Sequence, residues 1–458
     1  METALAGGQT RPASRPNILL FLPDQHRFDW LGSTAGLPVR TPNIDALAER
    51  GVRFTNAICP SPVCVPSRAA LASGKEFDRC GTPDNNFNYP VNQVTFYRLL
   101  RDSGYFVAGC GKFDLAKPAR TWGRDGKQVV TGVSYLDLWG FSDGIDNGGK
   151  HDAIMGYKKG QVGPYMAYLE SRGLVQEHLA DYDRRRRYDD YVTPLPDDAY
   201  CDNWIARNGL GLLGQAPSGR PWFLQVNFNG PHEPMDVTAS MKDRWKDVKF
   251  PSPNNGPPEL DHDGIRQNYS GMVENIDRWV GIYIEHLAKT GQLDNTLIVY
   301  SSDHGEMLGD HRRWGKSVPY QPSVGVPLVI AGPGVRSGWV CQAPVTTLDL
   351  TATFLGAAGL SIPDDMDSRS MGPMLAGEAA PSRKIVRSGL GGWRMAYDGR
   401  YKLIRGFDAP RTADDPEPLA TSATADKVLL FDLKTDPLER TDIAAGSPQI
   451  VERLTSEL

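Results

Sequence analysis

The residues best placed to do chemistry begin with Cys64, in the run Cys64-Val65-Pro66-Ser67-Arg68-Ala69-Ala70-Leu71-Ala72-Ser73-Gly74. Pro66 suits a first helical position, where its missing N–H is not needed, and the alanine-rich run behind it continues the helix. Cys64 then sits just before a helix N-terminus, where free backbone N–H groups and the helix dipole favour an anion. Arg68, one turn later, lies on the same helix face. A nucleophile beside a guanidinium and a helix N-terminus is a place for an anionic ester. Cys59, in Cys59-Pro60-Ser61-Pro62-Val63, lacks both the proline and the arginine at those spacings and reads as core.

The other reactive groups need strands to deliver them. Pro16 to Leu22 is a continuous apolar run, read as a buried parallel-type strand ending at Asp24-Gln25-His26. Open α/β sheets bind ligands at such carboxyl ends. A second strand, 296–301, ends at Asp303-His304, and a third, 105–110, runs into Gly111-Lys112-Phe113-Asp114. A fourth, 222–228, precedes Pro231-His232-Glu233-Pro234, and a fifth is expected at 326–331. Helices are predicted over 41–50, 94–102, 265–290 and 348–358. Read separately, an Asp at a strand end is a cap or turn residue. Read together, Asp24, Gln25, Asp303 and His304 offer the oxygen-rich donor set that hard divalent cations take.

Residues 115–220 are polar and poor in periodicity, and read as a long excursion over the active face with a short helix near 197–208. Inside it Arg184-Arg185-Arg186-Arg187 reads as a solvated face, against the alternative of an anion-docking role. Beyond the Pro/Asp/Ser-rich stretch 361–383 the pattern becomes short strands with turns, including the hairpin 394–397/400–404. A further strand at 428–433 and a terminal helix at 450–458 complete a small antiparallel subdomain. The division expected is a leader at 1–15, a catalytic domain at 16–375 and a C-terminal subdomain at 376–458.

At 458 residues the chain can bury one large core and a smaller one. A net charge of -5 supplies no global basic field for nucleic acid. No run of 18 apolar residues exists, so no membrane span is expected. Residues 1–14 carry no apolar h-region, which makes cytoplasmic residence the expectation. Six scattered cysteines form no disulfide framework.

The pattern Cys64-x-Pro66-Ser67-Arg68-x-x-Leu71-x-Ser73-Gly74 resembles the signature of the type I sulfatases, within the alkaline phosphatase superfamily. The resemblance implies that Cys64 is oxidised by a formylglycine-generating enzyme and that the hydrated aldehyde is the nucleophile. It implies one divalent cation, Ca²⁺ with Mn²⁺ or Mg²⁺ as alternatives, held by Asp24, Gln25, Cys64, Asp303 and His304. Many sulfatases carry Asp-Asp after the first strand; Gln25 here is a departure shared with phosphonate monoester hydrolases. One charge fewer softens the preference for Ca²⁺.

Gly111-Lys112-Phe113-Asp114 aligns with the family's Gly-Lys-x-His, with Asp114 in place of the histidine. Lys112 is then implied to contact nucleophile and substrate anion. Asp114 is repulsive towards an anion unless it pairs with Lys112 or Arg68, or faces a cationic part of the substrate; exposure without a role is the alternative. Pro231-His232-Glu233-Pro234 matches Pro-His-x-Pro, implying His232 as the acid for the leaving oxygen. Lys316, in Trp314-Gly315-Lys316, matches a lysine that holds sulfate oxygens, and Gln321 replaces a usual glutamate. An unmodified thiol would lack the second hydroxyl that lets the hydrate expel bound sulfate.

The fold implied is an alkaline-phosphatase-like α/β sandwich: a large mixed sheet between helices, plus a smaller C-terminal antiparallel sheet. The function implied is hydrolysis of a sulfate ester, a sulfated sugar or an aryl sulfate, with phosphonate monoester or phosphodiester hydrolysis as the alternative. Candidate walls for the alcohol are Asp114, His26, Arg27, Arg312, Arg313, Trp314, Trp393 and Arg394. Aromatics flanked by arginines suit a sugar or an aryl group equally, or serve as packing.

Overall fold

The computed structural model describes residues 15–130, 132–186, 188–256, 262–378, 383–408 and 427–458. The leader expected at 1–15 therefore lies almost wholly outside the described residues, as does Arg187 of the arginine run.

The principal strands are β1 (Asn17–Phe21), β2 (Gly51–Phe54), β3 (Phe106–Gly111), β4 (Asp143–Asp146), β5 (Trp222–Asn227), β6 (Thr296–Tyr300), β7 (Leu328–Ala331) and β8 (Trp339–Cys341). They form one sheet in the order β8-β2-β7-β6-β1-β5-β3-β4. β1 lies between β6 and β5, parallel to both, and β5 pairs in parallel with β3. The sheet is mixed because β7 runs antiparallel to both β6 and β2.

β1 shows why the apolar run had to be central. Side chains alternate across a strand: Ile18 and Leu20 join the core on one face, Leu19 and Phe21 the core on the other, and all four are fully buried. A strand covered on both faces has no place for a polar side chain until it ends, so Asp24 and Gln25 fall at the first position where the sheet opens.

The predicted elements are found with boundaries shifted by a few residues, among them helices Pro42–Glu49, Phe96–Asp102, Asp263–Lys289 and Asp349–Ala357. The reading of 115–220 as an excursion is corrected. β4 lies within it as an edge strand of the main sheet, paired with β3, and helices Lys150–Lys158, Pro164–Ser171, Val175–Tyr182 and Cys201–Gly214 follow. Its polarity hid these helices: Val175–Tyr182 buries only Val175, His178 and Asp181.

The C-terminal sheet runs β9 (Val386–Leu390), β10 (Trp393–Tyr397), β11 (Tyr401–Arg405) and β12 (Val428–Asp432), antiparallel throughout. It is fastened to the main domain beneath the site: Lys402 and Glu439, both buried, pair at 2.6 Å, and Glu439 accepts from the Gln321 backbone N–H. Among the described residues no helix is long and apolar enough to cross a membrane.

Candidate active site

Cys64 opens the helix Cys64–Ser73, which ends on Gly74 in the left-handed conformation. Every residue of that helix is buried, which requires the small side chains Ala69, Ala70 and Ala72. The thiol lies 3.3 Å from His304 Nε2 and 3.8 Å from Asp24 Oδ1. Asp24, Cys64, Asp303 and His304 bring one ligand atom each within 4.8 Å of one another, and all four are buried. His304 Nδ1 faces the Gly305 carbonyl at 3.1 Å, so Nδ1 carries the proton and Nε2 is left as a donor. Burial pushes the His304 pKa down, which keeps that imidazole neutral. Two carboxylates, a neutral imidazole and the Cys64 position are a donor set that fits one divalent cation.

Gln25, expected as a fifth ligand, is engaged elsewhere. Its side-chain oxygen accepts from Lys316 Nζ, and its amide donates to Glu233 at 2.9 Å and to Glu306. The physical reason is the backbone: Gln25 is left-handed at φ 69°, held by its N–H on Asp303 Oδ1 and its carbonyl under the Tyr269 hydroxyl. That pose directs the amide to Lys316, Glu233 and Glu306.

Three cations close on the cluster. Arg68 donates through Nε to Asp303 at 2.9 Å and through Nη2 to Asp24 at 3.4 Å. Lys112 pairs with Asp24 and lies 3.4 Å from the Cys64 sulfur; Lys316 lies 3.7 Å from the same sulfur. Burial alone would raise the Asp24 pKa, but Lys112, His232 and Arg68 outweigh it and hold the carboxyl well below the usual range. Lys112 can occupy this place because Gly111 turns the chain at φ 104°; a Cβ there would stand 1.9 Å from the Asn227 carbonyl oxygen.

Asp114 does pair with Lys112, at 3.1 Å, and also with Lys117 at 3.2 Å. Burial opposes its charge, yet Lys112 and Lys117 bring its pKa down to about 2. It is a buried counter-charge for Lys112, the first of the arrangements expected for it. His232 receives a hydrogen bond from Lys316 at Nε2, 2.7 Å, and its Nδ1 faces the Glu233 carbonyl at 2.7 Å.

Beside His232 and Lys316 opens a cavity of about 480 Å³, whose other walls include Asn85, Lys117, His151, Asp152, Tyr182, Arg185, Arg186 and Glu233. The predicted walls lie elsewhere. Trp393 is 2% exposed and donates to the Ser317 carbonyl, packing beneath the Lys316 loop. Arg394 lies over the Phe77 ring and lines a separate cleft with Pro60 and Leu458. Arg313 is buried over Phe407, and Trp314 stacks on Tyr188. His26 is fully buried between the Tyr300 hydroxyl and the Trp30 carbonyl, and Arg27 pairs with Asp29 and Asp310. All of these satisfy the fold, as aromatic and arginine side chains in a folded interior do.

The arginine run is corrected as well. Arg184 is solvated, but the Arg185 side chain is buried between Asp181 and Asp236, and Arg186 lines the cavity. Sequence reasoning also passed over Glu233, Glu306 and Lys117. The available signal was position: Glu306 follows the Asp303-His304 pair by two residues, and Glu233 is the variable residue of Pro231-His232-Glu233-Pro234.

Residues 16–360 match the family model described as Sulfatase. The choline-sulfatase of Rhizobium meliloti (strain 1021) is 28% identical over 472 residues, covering 96% of this chain and 85% of that protein. The phosphonate monoester hydrolase of Agrobacterium radiobacter superposes with a TM-score of 0.76 at 24% identity, over 97% of this chain and 94% of the other. A structure solved in complex with its substrate D-glucosamine-2-N,6-O-disulfate gives a TM-score of 0.74 at 20% identity, over 97% of each chain. The two structural likenesses establish a shared fold.

Proposed function

This chain belongs to the sulfatase family, and from that premise we propose that it hydrolyses a sulfate ester to an alcohol and inorganic sulfate at Cys64. One observation carries the reading. The Cys64 side chain stands at a helix N-terminus within 3.4 Å of Lys112 and 3.7 Å of Lys316, with Arg68, Asp24, Asp303 and His304 around it.

A sulfate ester presents anionic oxygens that repel a nucleophile. Lys112 and Lys316, buried and on either side of Cys64, neutralise those oxygens where water cannot screen them. Arg68 holds Asp24 and Asp303 in place. His232 lines the cavity, and its Nε2, which accepts from the Lys316 ammonium, can pass a proton taken from that ammonium to the departing oxygen. Its Nδ1–H is fixed on the Glu233 carbonyl, which sets the tautomer.

The residues also fit the two groups that the family implies. Asp24, Asp303 and His304 would hold the divalent cation with the Cys64 position, and the ion supplies charge to polarise the ester and favour an ionised nucleophile. Ca²⁺ is proposed, with Mn²⁺ and Mg²⁺ as alternatives. Oxidation of Cys64 to formylglycine, whose hydrate is the nucleophile, is proposed from the Cys64-to-Gly74 run, and a formylglycine-generating enzyme is the partner it requires.

A second reading, phosphonate monoester or phosphodiester hydrolysis, is favoured by one observation: Gln25 stands where many sulfatases have aspartate. One comparison tests both. Protein co-produced with a formylglycine-generating enzyme is given an aryl sulfate, an aryl phosphonate monoester and a phosphodiester, with Cys64→Ala as the blank. Dominant sulfate turnover that vanishes in the blank is expected. Dominant turnover of phosphorus esters transfers the assignment to the second reading.

A further inference from the structure

Among the described residues, the cavity beside His232 holds one cation, Arg186, that neither the proposed reaction nor an ion pair uses. Its wall carboxylates are already matched. Asp152 pairs with Lys117 at 3.4 Å and Arg120 at 3.1 Å, and Glu233 accepts from Gln25 at 2.9 Å and faces His232 Nδ1 at 3.1 Å. Arg185 is consumed by Asp181 and Asp236, and Asp236 also takes Lys150. Arg186 differs. It lines the cavity, it is exposed, and among the described residues no carboxylate forms an ion pair with its guanidinium.

Arg186 is also held at this place. It follows the helix Val175–Tyr182, its own N–H donates to the Tyr191 hydroxyl, and its neighbour Arg185 is anchored at both ends of its fork. The Arg185 guanidinium lies over the Tyr182 ring, 5.4 Å from its centroid, and Tyr182 meets His151 at 3.3 Å through its hydroxyl. The chain segment therefore presents a fork of donors on anchored backbone, to a cavity that begins at the leaving-group acid.

We infer that the alcohol half of the substrate carries a second anionic group, and that Arg186 binds it. This rests on the sulfatase reading and adds the class of alcohol. The recognising chemistry is a planar guanidinium meeting a carboxylate or a second sulfate, both of which accept two parallel N–H bonds. A substrate whose alcohol ends in a quaternary ammonium would meet this unmatched positive charge and bind poorly.

The test is kcat/KM on four sulfate esters: a neutral pyranoside monosulfate, the same ring bearing a carboxylate, the same ring bearing a second sulfate, and choline sulfate. A charge-assisted contact predicts that at least one anionic sugar exceeds the neutral one by about tenfold or more. Whichever anionic ester leads identifies carboxylate or sulfate as the partner. The preference contracts to within about threefold in Arg186→Gln, and shrinks with rising salt.

Equal turnover of neutral and anionic sugars by the wild-type enzyme, or a lead for choline sulfate, overturns the inference and leaves the sulfatase reading intact. Parallel loss on all four esters in Arg186→Gln, with the ratio kept, overturns it too. Turnover of phosphorus esters with no sulfate ester cleaved removes the reading beneath it. Because the wild-type ratio is decisive alone, the test does not depend on the variant folding.

Discussion

The Lys316 ammonium donates to Nε2 of His232 at 2.7 Å, so the residue proposed to hold sulfate oxygens and the proposed acid share one hydrogen bond. Nδ1 of His232 is committed to the Glu233 carbonyl, and Nε2 is therefore the atom through which protons pass. A proton passed from the Lys316 ammonium to Nε2 would lie between the anion site and the cavity beside His232.

The first prediction concerns that acid. His232→Ala should slow alkyl or sugar sulfates, whose leaving groups need a proton, by about 100-fold or more. Nitrophenyl sulfate, whose leaving group departs without help, should lose less than about tenfold. Matched losses in kcat on both ester types would remove His232 from the role.

The second concerns the cluster of Asp24, Cys64, Asp303 and His304. A strong chelator should abolish turnover, and Ca²⁺ or Mn²⁺ should restore it. Saturating ion, at roughly 100 times its Kd, should also stabilise the fold by about 2.7 kcal/mol in denaturant titrations. Full activity in a sample shown by elemental analysis to be metal-free would contradict the assignment.

Asp114 supplies the third. Its carboxyl lies at about 2 in the folded protein because Lys112 and Lys117 outweigh burial. A carboxyl depressed from the ordinary value near 3.9 contributes stability that is present above that value and is lost as pH falls towards 2. The size is about 2.6 kcal/mol, at about 1.4 kcal/mol per pKa unit. Asp114→Asn should lose about that much stability at neutral pH, and its unfolding free energy should be flatter between pH 4 and pH 2. An unchanged acid slope in the variant would show that the pairing is not energetically coupled to folding.

A fourth prediction uses His26, buried neutral between Tyr300 and Trp30 with its pKa lowered to about 4 by desolvation. Unfolding restores an ordinary imidazole near 6.5, which binds the proton more readily. Stability from His26 is therefore complete above about 6.5 and lost as pH falls through about 4, by about 3 kcal/mol in all. His26→Gln should lack this part of the acid dependence, measured as unfolding free energy at pH 7 and pH 4.5. The two windows, one for His26 and one for Asp114, do not overlap, so the two variants can be told apart.

Several features were readable along the chain because neighbours in sequence decide them. Cys64, Pro66 and Arg68 share one helix turn, so their spacing alone places a nucleophile and a guanidinium on one helix face. The apolar run Ile18–Phe21 of β1 had to be central, because four successive apolar side chains alternate to both faces and both must be covered. Asp24, Asp303 and His304 were readable as acidic and imidazole groups just beyond the carboxyl ends of β1 and β6.

Other features depended on pairing across the fold. Asp114 looked like an anomaly beside an anion until Lys117, three residues on, and Lys112, two residues back, were seen to enclose it together. Gln25 read as a ligand from its position, but a left-handed backbone and three partners more than 200 residues away turned its amide to Glu233, Glu306 and Lys316. Trp393 and Arg394 had the composition of a binding wall, yet Trp393 packs beneath the Lys316 loop and Arg394 lines a separate cleft over Phe77.

The arginine run marks the limit most clearly. Four like charges in sequence say nothing about which one meets a carboxylate; Asp236, 51 residues away, takes Arg185 and leaves Arg186 to the cavity. Residue types and local spacing determined the chemistry this protein carries, because helix turns and strand ends are local. Only the tertiary structure decided which charges are cancelled and which remain to meet a substrate, because ion pairs form by distance in space and burial.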